Sequence, residues 1–431
     1  MERPMRNAIL ILLAATLALL FPSVSRAQGE TAVPFLLITP SPQGLGMAGT
    51  SASQPTTDAI ATIANPGQLG LFSLRNLFNA STYAPRTNWL PQFHLPDLTY
   101  GVTAINAGYN FRELLSLPFN LSAGIGYSRV SLDLGTFMIT NSSGPGVIGY
   151  FHSEEHSDSY SFGIGFDYHV RLGLGFNFKN IESRLSPIGT EGEKGAGSAS
   201  VSATDFGVLL EVPMVKLFTD LSGISLDVAP RISPFLDLSF GYVKANVGDE
   251  VSYIDAAQAD PLPRTAVAGL GIEAGLMGKS GKSDWKLVSF RLARQADDIL
   301  VVRHQDGTFE YQSGLGDIGF WDNVVLGKDN SKVTMRRGWQ VQVAEVLYLR
   351  GGTVESPGLS YATSGYSICL GGLMKLIGLI TTGPVADESW VGFVADHFDL
   401  QFHTATYDET YSPIAGTRSQ ALNLVVKGFS F

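Results

Sequence analysis

Few residues in this chain are spaced for chemistry. Asp399, Gln401 and His403 alternate along one apparent strand face, with His397 in the same phase. Such a set could hold a cation, but a solvated polar wall is the simpler account. Glu154, Glu155, His156 and Asp158 form an acidic run that reads as a wet loop beside a strand start. The seven histidines show no metal-ligand spacing. No Ser-His-Asp set can be picked by motif. No catalytic residue, metal ligand or cofactor is therefore expected. Gly44, Gly46 and Gly49 match a dinucleotide fingerprint in spacing only. They follow Pro40 and Pro42 instead of a strand, and no βαβ unit surrounds them. Close backbone approach explains them better. Cys369 is the only cysteine, so no intramolecular disulfide can form. The formal net charge of −10 argues against nucleic acid as a partner.

The elements that would carry these residues are strands. Phe119, Leu121, Ala123, Ile125 and Tyr127 alternate with Asn120, Ser122, Gly124, Gly126 and Ser128. A longer alternation runs from Tyr160 to Phe178; it exceeds one strand and predicts two, turning near Asp167 to Arg171. Similar patterns recur in 206–212, 236–242, 266–276, 288–292, 339–343 and 398–402, and in the last segment. Aromatics such as Tyr127, Tyr160 and Tyr168 are placed at strand ends, as in an interfacial girdle. The connections are unequal: 188–203, 246–264 and 306–337 are long and polar, others short. The 306–337 stretch embeds Tyr311, Phe320 and Trp321, which makes it the candidate recognition loop.

The two ends point to export and a membrane. Arg3 and Arg6 precede an apolar run from Ala8 to Phe21, then Ser25-Arg26-Ala27. That reads as a leader cleaved after residue 27. The chain finishes on an apolar strand with Phe429 and Phe431, the pattern of a barrel sorting signal read by the barrel-assembly machinery. The expectation is an all-β transmembrane antiparallel barrel of about fourteen strands in the bacterial outer membrane, with lipid as a partner. Residues 28–75 would form an N-terminal plug and residues 76–431 the barrel.

The plug segment also carries a resemblance. Val33-Pro34-Phe35-Leu36-Leu37-Ile38-Thr39-Pro40, then Gly44-Leu45-Gly46-Met47-Ala48-Gly49, Thr57-Asp58-Ala59-Ile60-Ala61 and Asn65-Pro66-Gly67-Gln68-Leu69 resemble the N-terminal signature of the PorV/PorQ family, a branch of the FadL-like barrels. Gln43, Ala48 and Gly67 depart from the residues usual there. Phe35, Pro40, Gly44, Gly46, Met47, Gly49, Asp58, Asn65 and Pro66 would be the plug motif. The resemblance implies a fourteen-stranded barrel with this segment folded into its lumen. A PorV-like role would be in type IX secretion, binding exported cargo proteins at the cell surface. A FadL-like role would be a channel for hydrophobic small molecules. A structural barrel is the third reading.

Overall fold

A computed structural model describes residues 31–140, 146–187, 197–253, 259–280, 283–304, 308–356, 358–382, 390–409 and 412–428. The expected leader, with Phe429 and Phe431, lies outside these residues.

Fourteen antiparallel strands form a closed ring. They are β1 (Asn76–Tyr83), β2 (Thr99–Asn110), β3 (Asn120–Thr140), β4 (Val147–Asp167), β5 (Arg171–Ser186), β6 (Gly197–Pro213), β7 (Ile232–Gly248), β8 (Thr265–Ser280), β9 (Ser283–Ile299), β10 (Thr334–Val343), β11 (Leu347–Ser356), β12 (Leu359–Cys369), β13 (Phe398–Tyr407) and β14 (Arg418–Lys427). Each pairs with its sequence neighbour, and β1 pairs with both β14 and β2, so the ring has no edge. Closure is what a lipid-embedded sheet requires, because an open edge would leave backbone groups unsatisfied. The outward rows are apolar and exposed: Ile125, Phe162, Ile164, Phe176 and Phe290 are examples. The alternating inward positions, such as Ser122, Ser161 and Asn177, are buried. An apolar face of this extent suits hydrocarbon.

Several expectations need correction. The turn at 168–170 separates two strands, but β3 and β4 are each 21 residues long. Tyr127 and Tyr160 therefore face each other in mid-strand, with rings 5.6 Å apart, not at strand ends. Beyond them the outer face turns polar, where Tyr127 Oη donates to Asp158 Oδ1 at 2.6 Å. The strands simply continue past the apolar band. For the same reason Glu154, Glu155, His156 and Asp158 lie within β4 instead of a loop. Residues 197–203 and 246–248 are likewise strand, and β10 begins at Thr334.

Among the described residues, the α-helices of seven residues or more are α1 (Gly67–Ser73) before β1, α2 (Met214–Ser222) between β6 and β7, and α3 (Leu370–Thr382) and α4 (Trp390–His397) between β12 and β13. Their short apolar runs carry too little alternation signal to stand out among strands. His397 ends α4, so it does not share the strand of Asp399. By the rule that long loops face outward, the end bearing the connection between β9 and β10 is extracellular, and α1 to α4 lie at the periplasmic end. That long connection does not stand free. Leu300, Ile318 and Val324 pack on Ala266, Ala268, Ala296 and Met335, outward residues of β8, β9 and β10. The small alanines leave room for it.

Candidate functional site

Residues 32–73 lie against inward-facing side chains and glycines of the strands. In the extracellular half, Val33, Phe35 and Ile60 are buried against Tyr100, Val102 and Val130 on inward faces. Tyr83, Tyr100, Trp89 and Tyr407 form a chain of rings with centroids 5.8 to 6.0 Å apart. Here the attraction is burial and ring packing, with little direction.

Midway down, wall side chains hold the segment by its backbone. Asn79 and Asn423 donate to Thr57 O, Asn106 to Ala59 O and Asn177 to Thr62 O. Ala48 N donates to Thr363 Oγ1 at 3.0 Å, and Ala52 N to Gln295 Oε1 at 3.0 Å. Arg336 donates to Ala48 O and is paired with Asp297. An irregular backbone in a barrel needs such partners.

Glycines set the distance between segment and wall. Gly108, Gly124, Gly163, Gly175 and Gly207 lie directly opposite one another across β2 to β6. A Cβ at Gly163 would lie 2.7 Å from Gly70 N, and one at Gly175 would lie 2.1 Å from the Pro66 carbonyl. The row is a seat for α1 and the turn before it. Gly241 against Ala52 and Gly338 against Met47 continue the close approach on the far wall.

The residues singled out in the sequence fall along this path. Phe35 is fully enclosed in the extracellular half. Pro40 O accepts from Tyr83 Oη at 2.8 Å. Gly44 sits against Ser51, and Gly46 against Arg350 and Gly365. Met47 is buried, and Gly49 takes a φ of +78°, a left-handed conformation that glycine tolerates. Asp58 accepts from Ser41 Oγ at 2.5 Å and from Ile60 N at 3.1 Å. Asn65 is fully buried; its Nδ2 donates to Ala52 O and Val208 O, and its Oδ1 accepts from Gly67 N. Pro66 meets Gly175 and Gly207.

Of the loop trio, Phe320 and Trp321 meet edge to face with ring centroids 5.6 Å apart, and Tyr311 packs elsewhere. Tyr311 lies under the Arg264 guanidinium, 3.6 Å from its ring centre. Phe320 packs on the outward Phe240 at 5.7 Å, while Trp321 is 70% exposed. Asp399, Gln401 and His403 do share an inward face, and Gln401 Nε2 donates to Asp399 Oδ2 at 2.7 Å. Asp399 accepts from Gly371 N at 2.7 Å, Gln401 accepts from Asn423, and His403 Nδ1 meets Ser367 Oγ at 2.6 Å.

Below the segment is a polar chamber of about 250 Å³ near the periplasmic mouth. Its charged residues escaped the sequence reading. Arg171 pairs with Glu211 at 2.8 Å, and Lys286 with Glu273 at 2.8 Å, with Arg291 joining Glu273. Each is a charge on an inward position of an otherwise apolar alternation. That parity was the available signal, but the pairing of distant strands was not.

No family model and no curated protein matches the chain. Among solved structures, the toluene transporter TbuX of Ralstonia pickettii is 13% identical, with 90% of this chain and 97% of that chain covered and a TM-score of 0.33. The toluene transporter TodX of P. putida is 11% identical over 90% and 98%, with a TM-score of 0.36. A Pseudomonas aeruginosa FadL homologue is 9% identical over 90% and 97%, with a TM-score of 0.34. Overlaps of that size carry no weight for what this chain does.

Proposed function

We propose that this outer-membrane barrel is a gated channel for small hydrophobic compounds, with residues 31–75 as the gate. The observation that supports it is the apolar, aromatic lining of the extracellular half of the lumen, formed by Tyr83, Tyr100, Tyr407 and Trp89. A water-filled pore needs a polar interior instead. The gate contributes no strand to the barrel sheet and is held by side-chain hydrogen bonds, so it can leave without opening the ring.

A lock tests this. Ala48→Cys with Thr363→Cys, in a Cys369→Ser background, joins gate to wall where Ala48 N meets Thr363 Oγ1. Oxidised cells should take up radiolabelled naphthalene as slowly as cells lacking the protein, and reduction should restore uptake. Equal uptake in both redox states would sink the gate. The reading as a PorV-like secretion component that binds exported cargo has one further supporting feature, the exposed Trp321. It predicts lower cargo recovery on pull-down with Trp321→Ala; unchanged recovery would remove that support.

A further inference from the structure

More cations than carboxylates line the chamber beneath the gate. Arg75, Arg171, Lys286, Arg291 and Arg350 line it, against Glu211, Glu273 and Glu345. Five cations and three carboxylates line it, in a chain whose formal net charge is −10. Arg171 is taken by Glu211 and Asp167, and Lys286 and Arg291 by Glu273. Glu345 is taken by Lys375 at 3.4 Å. Arg75 and Arg350 remain, and among the described residues neither forms an ion pair.

Arg350 is 3% exposed, and its partners are neutral. Nε donates to Gln340 Oε1 at 2.7 Å, Nη1 donates to Ser367 Oγ at 2.5 Å, and the guanidinium carbon sits 5.3 Å from the Tyr348 ring centre. Nη2 has no protein acceptor among the described residues. A buried charge without a counter-charge is costly, and buried donors are ordinarily satisfied. His403 stands next in this chain of contacts. Ser367 accepts from Arg350, so its own proton is free to go to His403 Nδ1. That arrangement leaves the proton of the neutral ring on Nε2, a donor in a residue 2% exposed that has no partner.

We infer that the chamber is a binding site for one small oxyanion, a carboxylate or a phosphate group, received by Arg350 with His403 Nε2–H, while Arg75, an exposed lining residue, adds positive charge. The planar guanidinium fork matches either group. Arg75 follows α1 directly, so the site borders the gate, and Leu71 and Phe72 offer an apolar flank. The inference stands apart from the channel reading: an anion can bind here whether or not anything is transported.

Calorimetry on the full chain, refolded in detergent and checked by heat-modifiable mobility, tests it with two probes, sodium benzoate and inorganic phosphate, in chloride-free buffer. One saturable site is expected. Tighter benzoate assigns a carboxylate ligand, and tighter phosphate assigns a phosphate. Arg350→Met should weaken binding about tenfold or more, since it removes charge-assisted hydrogen bonds. Arg75→Gln and Arg350→Lys should weaken it less, and Arg86→Gln, outside the chamber, should leave it unchanged. If Arg350→Met fails to assemble, Arg75→Gln and Arg350→Lys decide. No saturable binding of either probe to the folded wild type, or unchanged affinity in both of those variants, would overturn the assignment.

Discussion

The two halves of the lumen hold the same segment by opposite means. In the extracellular half, Phe35 and Ile60 are enclosed by Tyr100, Val102 and Val130, and the grip is burial. In the periplasmic half, α1 lies on a glycine row and beside paired charges, and the grip is shape and directed bonds. Burial tolerates small displacements, because it depends on area removed from water. A backbone seat with contacts near van der Waals distance does not. On the channel reading proposed above, the extracellular half would rearrange around a passing apolar molecule while the glycine seat fixes where the segment returns.

Breaking the seat should have the largest effect. Gly163→Leu drives a Cβ to 2.7 Å from Gly70 N, where backbone cannot yield as a side chain would. The expected outcome is a barrel that closes without α1 seated, seen as rapid protease cleavage near residue 67 in refolded protein. Intact, protected α1 in that variant would end the idea of a rigid seat.

Emptying the apolar grip should come next. Phe35→Ala removes a fully enclosed ring and should cost about 3–5 kcal/mol of segment docking. Thiol labelling at Ala61→Cys in a Cys369→Ser background measures it as faster modification. If labelling accelerates less with Phe35→Ala than with the polar change below, the comparison is reversed.

Asn65→Ala sharpens the comparison from the polar side. It strips two carbonyls and one amide of their partner at a fully buried site, and should cost about 1–3 kcal/mol in the same labelling assay. Asn65→Asp should be no better, since it keeps the acceptor for Gly67 N but loses the amide donors.

The smallest effects belong to positions outside both grips. Gly146→Leu has nothing within 4 Å of its added Cβ, and should change urea unfolding by no more than about 0.5 kcal/mol. A large shift there would mean that the extracellular rim, not the lumen, governs stability.

Much of this was readable in one dimension. The alternation around Ile125 and Phe162 displayed an apolar face, and Gly124, Gly163 and Gly175 were visible on the small-residue face. What they were for was not visible, because their meaning lies in register. Only strand pairing places five glycines in one row, and only the path of residues 65–70 gives that row an occupant. Tyr311, Phe320 and Trp321 fared differently. Their composition suggested a shared recognition surface, whereas packing on alanine-lined strands turned Phe320 back to the wall and left Trp321 outside.

The amino-acid sequence by itself determined the period of the strands and which residues share each apolar face. It also marked the N-terminal segment as irregular, through Pro40, Pro42 and its glycines. Those are local properties: side-chain direction alternates along one strand, and proline and glycine act on their own backbone. The tertiary structure decided the rest. The polar groups of Glu273 and Arg291, or of Arg350 and His403, became chemistry only when antiparallel closure brought separate strands around one small chamber. Coulombic and hydrogen-bonding terms depend on distances of a few ångströms between residues far apart in the chain, and the one-dimensional order leaves those distances open.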